Sequence, residues 1–127
     1  MSHFSRLKTS IVEKEFLLAA LKDMELQFSE GQDLILDGFQ GANRKVDILI
    51  KFEVGYPIGL KLRNGKYEIV ADWFGVMKTS KKEFSNKLQQ RYAYHAAISR
   101  LTEQGFSLVE ETNNDNQEIR LVLRRMS

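Results

Sequence analysis

An Asn-Gly dipeptide between two runs of alternating apolar residues constrains the fold of this chain more than any other feature of its sequence. The dipeptide is Asn64-Gly65, and apolar side chains flank it at every second position: Ile58, Leu60 and Leu62 before it, and Tyr67, Ile69, Ala71 and Trp73 after it. Asn-Gly favours the type I′ turn that connects two antiparallel strands, and the alternation gives each strand one apolar face. The pattern therefore predicts a β-hairpin.

The remaining sequence predicts two helices and four further strands. Ser10 and Ser80 each precede a glutamate by three residues, which is the capping-box pattern of a helix N-terminus. This pattern predicts one helix over 10–28 and a longer one from residue 80 to near Gly105. Alternating apolar residues predict strands at 34–36, 46–50, 106–111 and 119–124, with a polar turn at 113–116 between the last two.

These elements indicate an α+β fold. We expect an antiparallel sheet of about six strands with two helices packed on one face, in the order helix, four strands, helix, two strands. A length of 127 residues is typical of one domain, so a single domain over 1–127 is expected.

Composition excludes several classes of chemistry. The chain has no cysteine, which rules out disulfides, thiolate nucleophiles, and zinc or iron–sulfur sites built from cysteine. Its two histidines lie far apart in the sequence, so no metal site and no cofactor are expected. A net charge of +2 is too small to indicate nucleic-acid binding. No apolar run approaches the roughly 18 to 20 residues of a membrane span, so membrane insertion is not expected.

The segment 89–101, QQRYAYHAAISRL, contains the first candidate site. On a helical wheel, Arg91 and His95 interrupt the apolar face of the second helix, and Tyr92 lies at its edge. A buried Arg or His needs a partner, and the strand residues Asp47 and Asp72 are the candidate carboxylates. One interpretation is a small pocket in which these five residues bind an anionic ligand or support catalysis. The other is a structural network that fixes the helix, and it is favoured because no nucleophile accompanies the histidine.

The segment 73–82 contains the second candidate site. Trp73 and Phe74 begin a run of apolar side chains that continues past the end of a predicted strand, and Lys78, Lys81 and Lys82 follow. The apolar run is explained either by a lid over the core or by a surface that docks a partner. The lysines are explained either by an ordinary solvated face or by contact with an acidic partner, nucleic acid or phosphate.

Several blocks of the sequence carry a family resemblance. They are MSHFS at 1–5, YEIVAD at 67–72, QRYAYH at 90–95, QGF at 104–106 and IRLV at 119–122. In these blocks the chain resembles hypothetical chloroplast open reading frame thirty-five, a small family of unknown function encoded in cyanobacteria and some algal plastids. The resemblance implies a protein of the cyanobacterial cytoplasm or the plastid stroma. It implies no catalytic residues.

Three functional hypotheses follow. The leading one is a non-enzymatic protein-binding or assembly module of a cyanobacterial or plastid cell. The alternative is a small domain that binds an anionic ligand, or acts on one, through Arg91 and His95. The third is nucleic-acid binding through residues 78–87 and Arg124-Arg125, which the nearly neutral net charge disfavours.

Overall fold

The computed structural model describes residues 3–113 and 119–126 and contains two α-helices, one short 3-10 helix (Phe39–Gly41) and seven strands in those residues. The predicted turn at 113–116 lies largely outside the described residues. In chain order the elements are β1 (Ser5–Lys8), α1 (Lys14–Asp23), β2 (Phe28–Asp37), β3 (Asn43–Ile50), β4 (Ile58–Arg63), β5 (Lys66–Ala71), α2 (Lys81–Glu103), β6 (Phe106–Asn113) and β7 (Ile119–Arg125).

The predicted α+β class and the antiparallel pairing are confirmed. Five strands form one sheet in the order β1-β5-β4-β3-β2, and every pair in it is antiparallel. The predicted hairpin joins β4 and β5, with Asn64 and Gly65 at positive φ angles of 53° and 81°, as a type I′ turn requires. Two details differ from expectation. β1 adds a short edge strand, and β6 and β7 form a separate two-stranded sheet.

Both helices cover one face of the five-stranded sheet. Leu17 and Leu21 of α1 and Phe84 and Leu88 of α2 pack into one buried cluster with strand residues that include Ile69. Successive strand residues point to opposite faces, so this cluster uses alternate positions of each strand. The helix-free face carries a smaller buried cluster, which consists of Leu36, Val46, Leu49 and Val70 with Phe4 and Leu34 packed against it.

The two capping-box predictions had different outcomes. The side chain of Ser80 accepts a hydrogen bond from the backbone N–H of Glu83 at 3.1 Å, so the predicted start of α2 is confirmed. The predicted start of α1 at Ser10 is wrong, because the helix begins at Lys14. The hydroxyl of Thr9 donates to the carbonyl of Tyr67 and accepts from the N–H of Ile11. These bonds hold the chain beside β5, so the helix begins only after this segment.

Helix α1 also ends earlier than the sequence predicts. Its last residue is Asp23, and Glu25 takes a positive φ of 57°, which stops the helix before residue 28. None of the helices in the described part of the chain is long and apolar enough to span a membrane.

Candidate functional site

The predicted polar residues of α2 converge on a carboxylate of α1. Oδ2 of Asp23 accepts from Nε of Arg91 at 2.9 Å and from Nη2 at 2.7 Å, and it lies 2.6 Å from Nε2 of His95. Nη1 of Arg91 lies 3.5 Å from Oε1 of Glu111 in β6. The guanidinium also stacks over the ring of Tyr94, 4.3 Å from its centroid. We call Asp23, Arg91, His95 and Glu111 the interhelix cluster.

Electrostatics favour the charged forms of Asp23 and Arg91. Partial burial raises the pKa of Asp23, but the hydrogen bonds from Arg91 and His95 outweigh that effect and hold this pKa below its ordinary value. Burial likewise lowers the pKa of Arg91, but the Asp23 and Glu111 carboxylates outweigh burial and raise it. The Arg91 side chain is only 14% exposed, so its charge is largely shielded from water and depends on these partners.

The predicted partners of Arg91 and His95 were wrong. Asp47 accepts from the N–H of Leu62 at 2.7 Å and lies 3.8 Å from the ammonium of Lys61. Asp72 is buried and accepts from the N–H of Phe39 at 3.2 Å. Both carboxylates therefore accept hydrogen bonds from backbone N–H groups of the sheet and its loops. The actual partners come from the end of α1 and from β6, which the sequence offered no reason to choose.

Tyr92 lies beside the cluster in α2 but contacts the chain at the start of α1. Its hydroxyl oxygen accepts from the N–H groups of Val12 and Glu13 at 3.2 and 3.1 Å. Its ring packs edge-on against Phe16, with centroids 6.4 Å apart. Tyr92 therefore holds the chain where it enters α1, while Arg91 and His95 hold the other end of the same helix.

The cluster has limited chemical capacity in this arrangement. Nε2 of His95 and two nitrogens of Arg91 already face Asp23, and a cleft of about 770 Å³ is lined by other residues. Among the described residues, no group of three or more His, Asp or Glu side chains is arranged to hold a metal ion. The geometry ties α1, α2 and β6 together.

The second candidate segment is divided between core and surface. Trp73 packs against Phe84 of α2, with ring centroids 6.2 Å apart, and Val76 is buried. Phe74 and Met77, in contrast, are 78% and 71% exposed. After the docking hypothesis drawn from the sequence, we call residues 73–77 the docking loop. The core-lid interpretation therefore describes Trp73 and Val76, while Phe74 and Met77 are left on the surface.

A neighbouring loop fixes the backbone of the docking loop. The N–H of Tyr56 donates to the carbonyl of Gly75 at 2.7 Å. A Cβ atom on Gly75 would lie 2.2 Å from the ring of Tyr56, so only glycine allows this approach. A Cβ atom on Gly55 would lie 2.8 Å from the backbone nitrogen of Met77, so this glycine also allows a close approach to the loop. The exposed side chains are thus presented on a backbone that is packed in place.

Lysines follow the docking loop in the sequence, where α2 begins. Lys78, Lys81 and Lys82 are all exposed. Lys78 lines the 770 Å³ cleft, which lies between the start of α2, the chain that follows α1 and the chain that follows β3. The other residues lining this cleft include the lysines Lys51 and Lys87, the acids Glu25, Glu53 and Glu83, and the apolar side chains Met24, Leu26, Phe52 and Phe84.

One charged surface was not identified from the sequence. A cavity of about 460 Å³ beside β1 and the β4–β5 turn is lined by Arg6, Lys8, Arg63 and Lys66, with Glu68 as the only carboxylate among its lining residues. These cations are separated by as many as 60 positions, from Arg6 to Lys66, so no local run marks them. The only sequence signal for this surface was the placement of cations at every second position, Arg6 and Lys8, in a segment that was not predicted to be a strand.

Comparison with known proteins places the chain in a family. A family model described as a protein of unknown function, DUF1257, matches residues 20–122. The chain belongs to the DUF1257 family. The matched range includes Asp23, Arg91 and His95, the docking loop and all of α2, whereas β1 and most of α1 precede it.

Relatives of this DUF1257 chain match it from end to end. Uncharacterized protein ycf35 of Guillardia theta is 34% identical over 126 residues, and the proteins of that name from Cyanophora paradoxa and Pyropia yezoensis are 31% and 33% identical. Each alignment covers 98% of both chains. The resemblance to hypothetical chloroplast open reading frame thirty-five is thereby confirmed. No solved structure matches the DUF1257 chain.

Proposed function

We propose that this chain is a non-enzymatic protein-binding module of a cyanobacterial or plastid cell, located in the cytoplasm or the stroma. Its docking loop inserts Phe74 and Met77 into an apolar pocket of a partner protein. The observation that carries the proposal is the exposure of these two side chains, 78% and 71%, on a loop whose neighbours Trp73 and Val76 are packed inward. Contiguous exposed apolar side chains mark interaction surfaces, and Phe74 and Met77 are the two most exposed large hydrophobic residues among those described.

The energetics of this loop suit binding. Burying a Phe or Met side chain is worth about 1.5–3 kcal/mol each, so two such anchors would supply a substantial part of a specific contact. Ordering a flexible loop would offset that gain, but the Tyr56–Gly75 hydrogen bond and the close packing of Gly75 already hold the backbone. Little conformational entropy would then be lost on binding.

The exposed lysines that follow the docking loop indicate the charge of the partner surface. Lys78, Lys81 and Lys82 are exposed in the residues that follow the docking loop, and Glu83 is the first acidic residue after them. A surface with carboxylates around an apolar pocket would complement this arrangement and would be steered toward it. We therefore expect an acidic partner protein whose association rate falls as salt increases.

The alternative function, an anionic-ligand site at Arg91 and His95, has weaker support. An incoming anion would have to displace Asp23, which already accepts from both residues. It would also have to compete with Glu111, which lies 3.5 Å from Arg91. The roles predicted for Tyr92, Asp47 and Asp72 in that site lose support as well, because these side chains accept hydrogen bonds from backbone N–H groups.

The test is capture of a partner from a cyanobacterial extract by the wild-type chain and by the double variant Phe74→Ser/Met77→Ser. The matched control is Leu62→Ser, which removes a side chain that is 45% exposed on β4, away from the loop. We expect the control to retain the partner, and the double variant to lose it while unfolding at the wild-type temperature. Equal capture by all three chains would contradict the proposal.

A further inference from the structure

Five cationic side chains converge on the helix-free face of the sheet. In the register of β1, β5 and β4, Lys8 and Lys61 both lie opposite Glu68, Arg6 lies opposite Val70, and Arg63 lies opposite Lys66. Directly paired residues share a face, as do residues two apart along a strand. Since Val70 belongs to the buried cluster of the helix-free face, these cations surround Glu68 on that face.

Four of these cations line a cavity of about 460 Å³, which is within the usual size range of small-molecule sites. They are Arg6, Lys8, Arg63 and Lys66, and the only carboxylate among the lining residues is Glu68. Four positive charges and one negative charge leave an excess of three. Like charges on neighbouring strands repel each other, so an anion in the cavity would relieve an existing cost.

A hydrogen bond to Glu68 positions the Arg63 side chain to bind such an anion. The Glu68 side chain is only 8% exposed, and its Oε1 accepts from Nε of Arg63 at 3.0 Å. Both Nη groups of Arg63 remain without a hydrogen-bond partner among the described residues. An arginine held by Nε presents its two Nη groups as a planar fork, which matches two oxygens of a phosphate group.

We propose that this cavity is a binding site for a phosphate-bearing small molecule. Arg63 grips the phosphoryl oxygens through its Nη groups, and Lys66, Arg6 and Lys8 neutralise the remaining charge. An excess of three charges suits a diphosphate better than a carboxylate, because a single phosphate group already carries about −1.5 to −2 at neutral pH. The site is separate from the docking loop and is independent of the proposed protein binding.

The experiment is a titration of the protein with inorganic pyrophosphate, followed through backbone amide signals by NMR. We expect shifts confined to the residues around Arg6–Lys8 and the β4–β5 turn. Arg63→Gln and Lys66→Gln should each weaken pyrophosphate binding by about tenfold, because each removes a charge-assisted contact. The matched controls Lys81→Gln and Lys82→Gln remove the same charge from α2, which packs on the opposite face of the sheet, and should leave the affinity within about twofold because salt screens exposed charges.

Two results would overturn the proposal. If Arg63→Gln and the control Lys82→Gln weaken pyrophosphate binding equally, binding depends only on the net charge of the protein. Displacement of pyrophosphate by a mixed-sequence oligonucleotide that binds more tightly, and with a steep salt dependence, would assign the surface to nucleic acid instead. Arg63 and Lys66 are both exposed, so their variants are expected to fold and the affinities can be compared directly.

Discussion

Oδ2 of Asp23, the last residue of α1, lies 2.7 Å from Nη2 of Arg91 in the middle of α2. This ion pair joins two helices whose remaining contacts are mostly apolar, and His95 strengthens it from one turn farther along α2. The pair therefore gives α2 a specific position on α1, which nonpolar packing alone defines less sharply.

Replacement of Asp23 by Asn should destabilise the protein in a pH-dependent way. We expect Asp23→Asn to lower the free energy of unfolding by about 1–2 kcal/mol at neutral pH, because a largely buried Arg91 loses its nearest charge. The folded-state pKa of Asp23 lies below its ordinary value of 3.8, so the charged carboxylate stabilises the folded state at higher pH. That contribution disappears as the pH falls through 3.8 toward the folded-state pKa.

Urea unfolding at pH 7 and at pH 3 measures this effect. The difference between wild type and Asp23→Asn should be largest at pH 7 and should shrink at pH 3. Asp37→Asn is the matched control, because Asp37 is exposed at the end of β2 and makes no side-chain hydrogen bond to another described residue. A difference between wild type and Asp23→Asn that is the same at both pH values would argue against the ion pair.

The two serines with capping-box spacing should respond differently to alanine. Ser80→Ala should cost about 1 kcal/mol, because it removes the acceptor for the N–H of Glu83 at the start of α2. Ser10→Ala should change stability by less than about 0.5 kcal/mol, because Ser10 is exposed and α1 begins only at Lys14. Thermal unfolding of both variants makes the comparison, and equal losses would show that Ser10 does cap a helix.

Removal of the Tyr92 hydroxyl should weaken the entry into α1. Tyr92→Phe leaves the N–H groups of Val12 and Glu13 without their acceptor, at a cost of about 1 kcal/mol. Hydrogen exchange at these two amides should accelerate relative to wild type. Tyr56→Phe serves as control, because the Tyr56 hydroxyl makes no hydrogen bond to another described residue, and unchanged exchange in Tyr92→Phe would contradict the assignment.

The parts of the fold that could be predicted are those determined by local chemistry. Asn64-Gly65 favours one type of turn, and Ser80 with Glu83 favours one helix start, whatever the rest of the chain does. Local patterns mispredict the bounds of an element where a contact with a residue far away in the sequence determines those bounds. Thr9 bonds to Tyr67, 58 positions away, and that contact overrides the capping signal of Ser10.

The candidate site was only partly predictable for the same reason. Helical spacing correctly placed Arg91 and His95 on the packed side of α2, and burial correctly required a carboxylate partner. The choice of Asp23 depended on where α1 ends, and Glu25 sets that end through a left-handed backbone conformation. The cavity around Arg63 depends on β1 pairing with β5, and a four-residue strand with one packed apolar side chain, Leu7, gives little periodic signal.

The most direct test of the proposed function is site-specific photocrosslinking inside cyanobacterial cells. A photoreactive benzoylphenylalanine replaces Phe74 in one chain and Leu62 in a control chain, both of which are exposed positions. The account predicts that irradiation joins one defined acidic protein to the chain that carries the probe at position 74, and not to the control. The absence of any crosslink at position 74, or the same products from both positions, would contradict it.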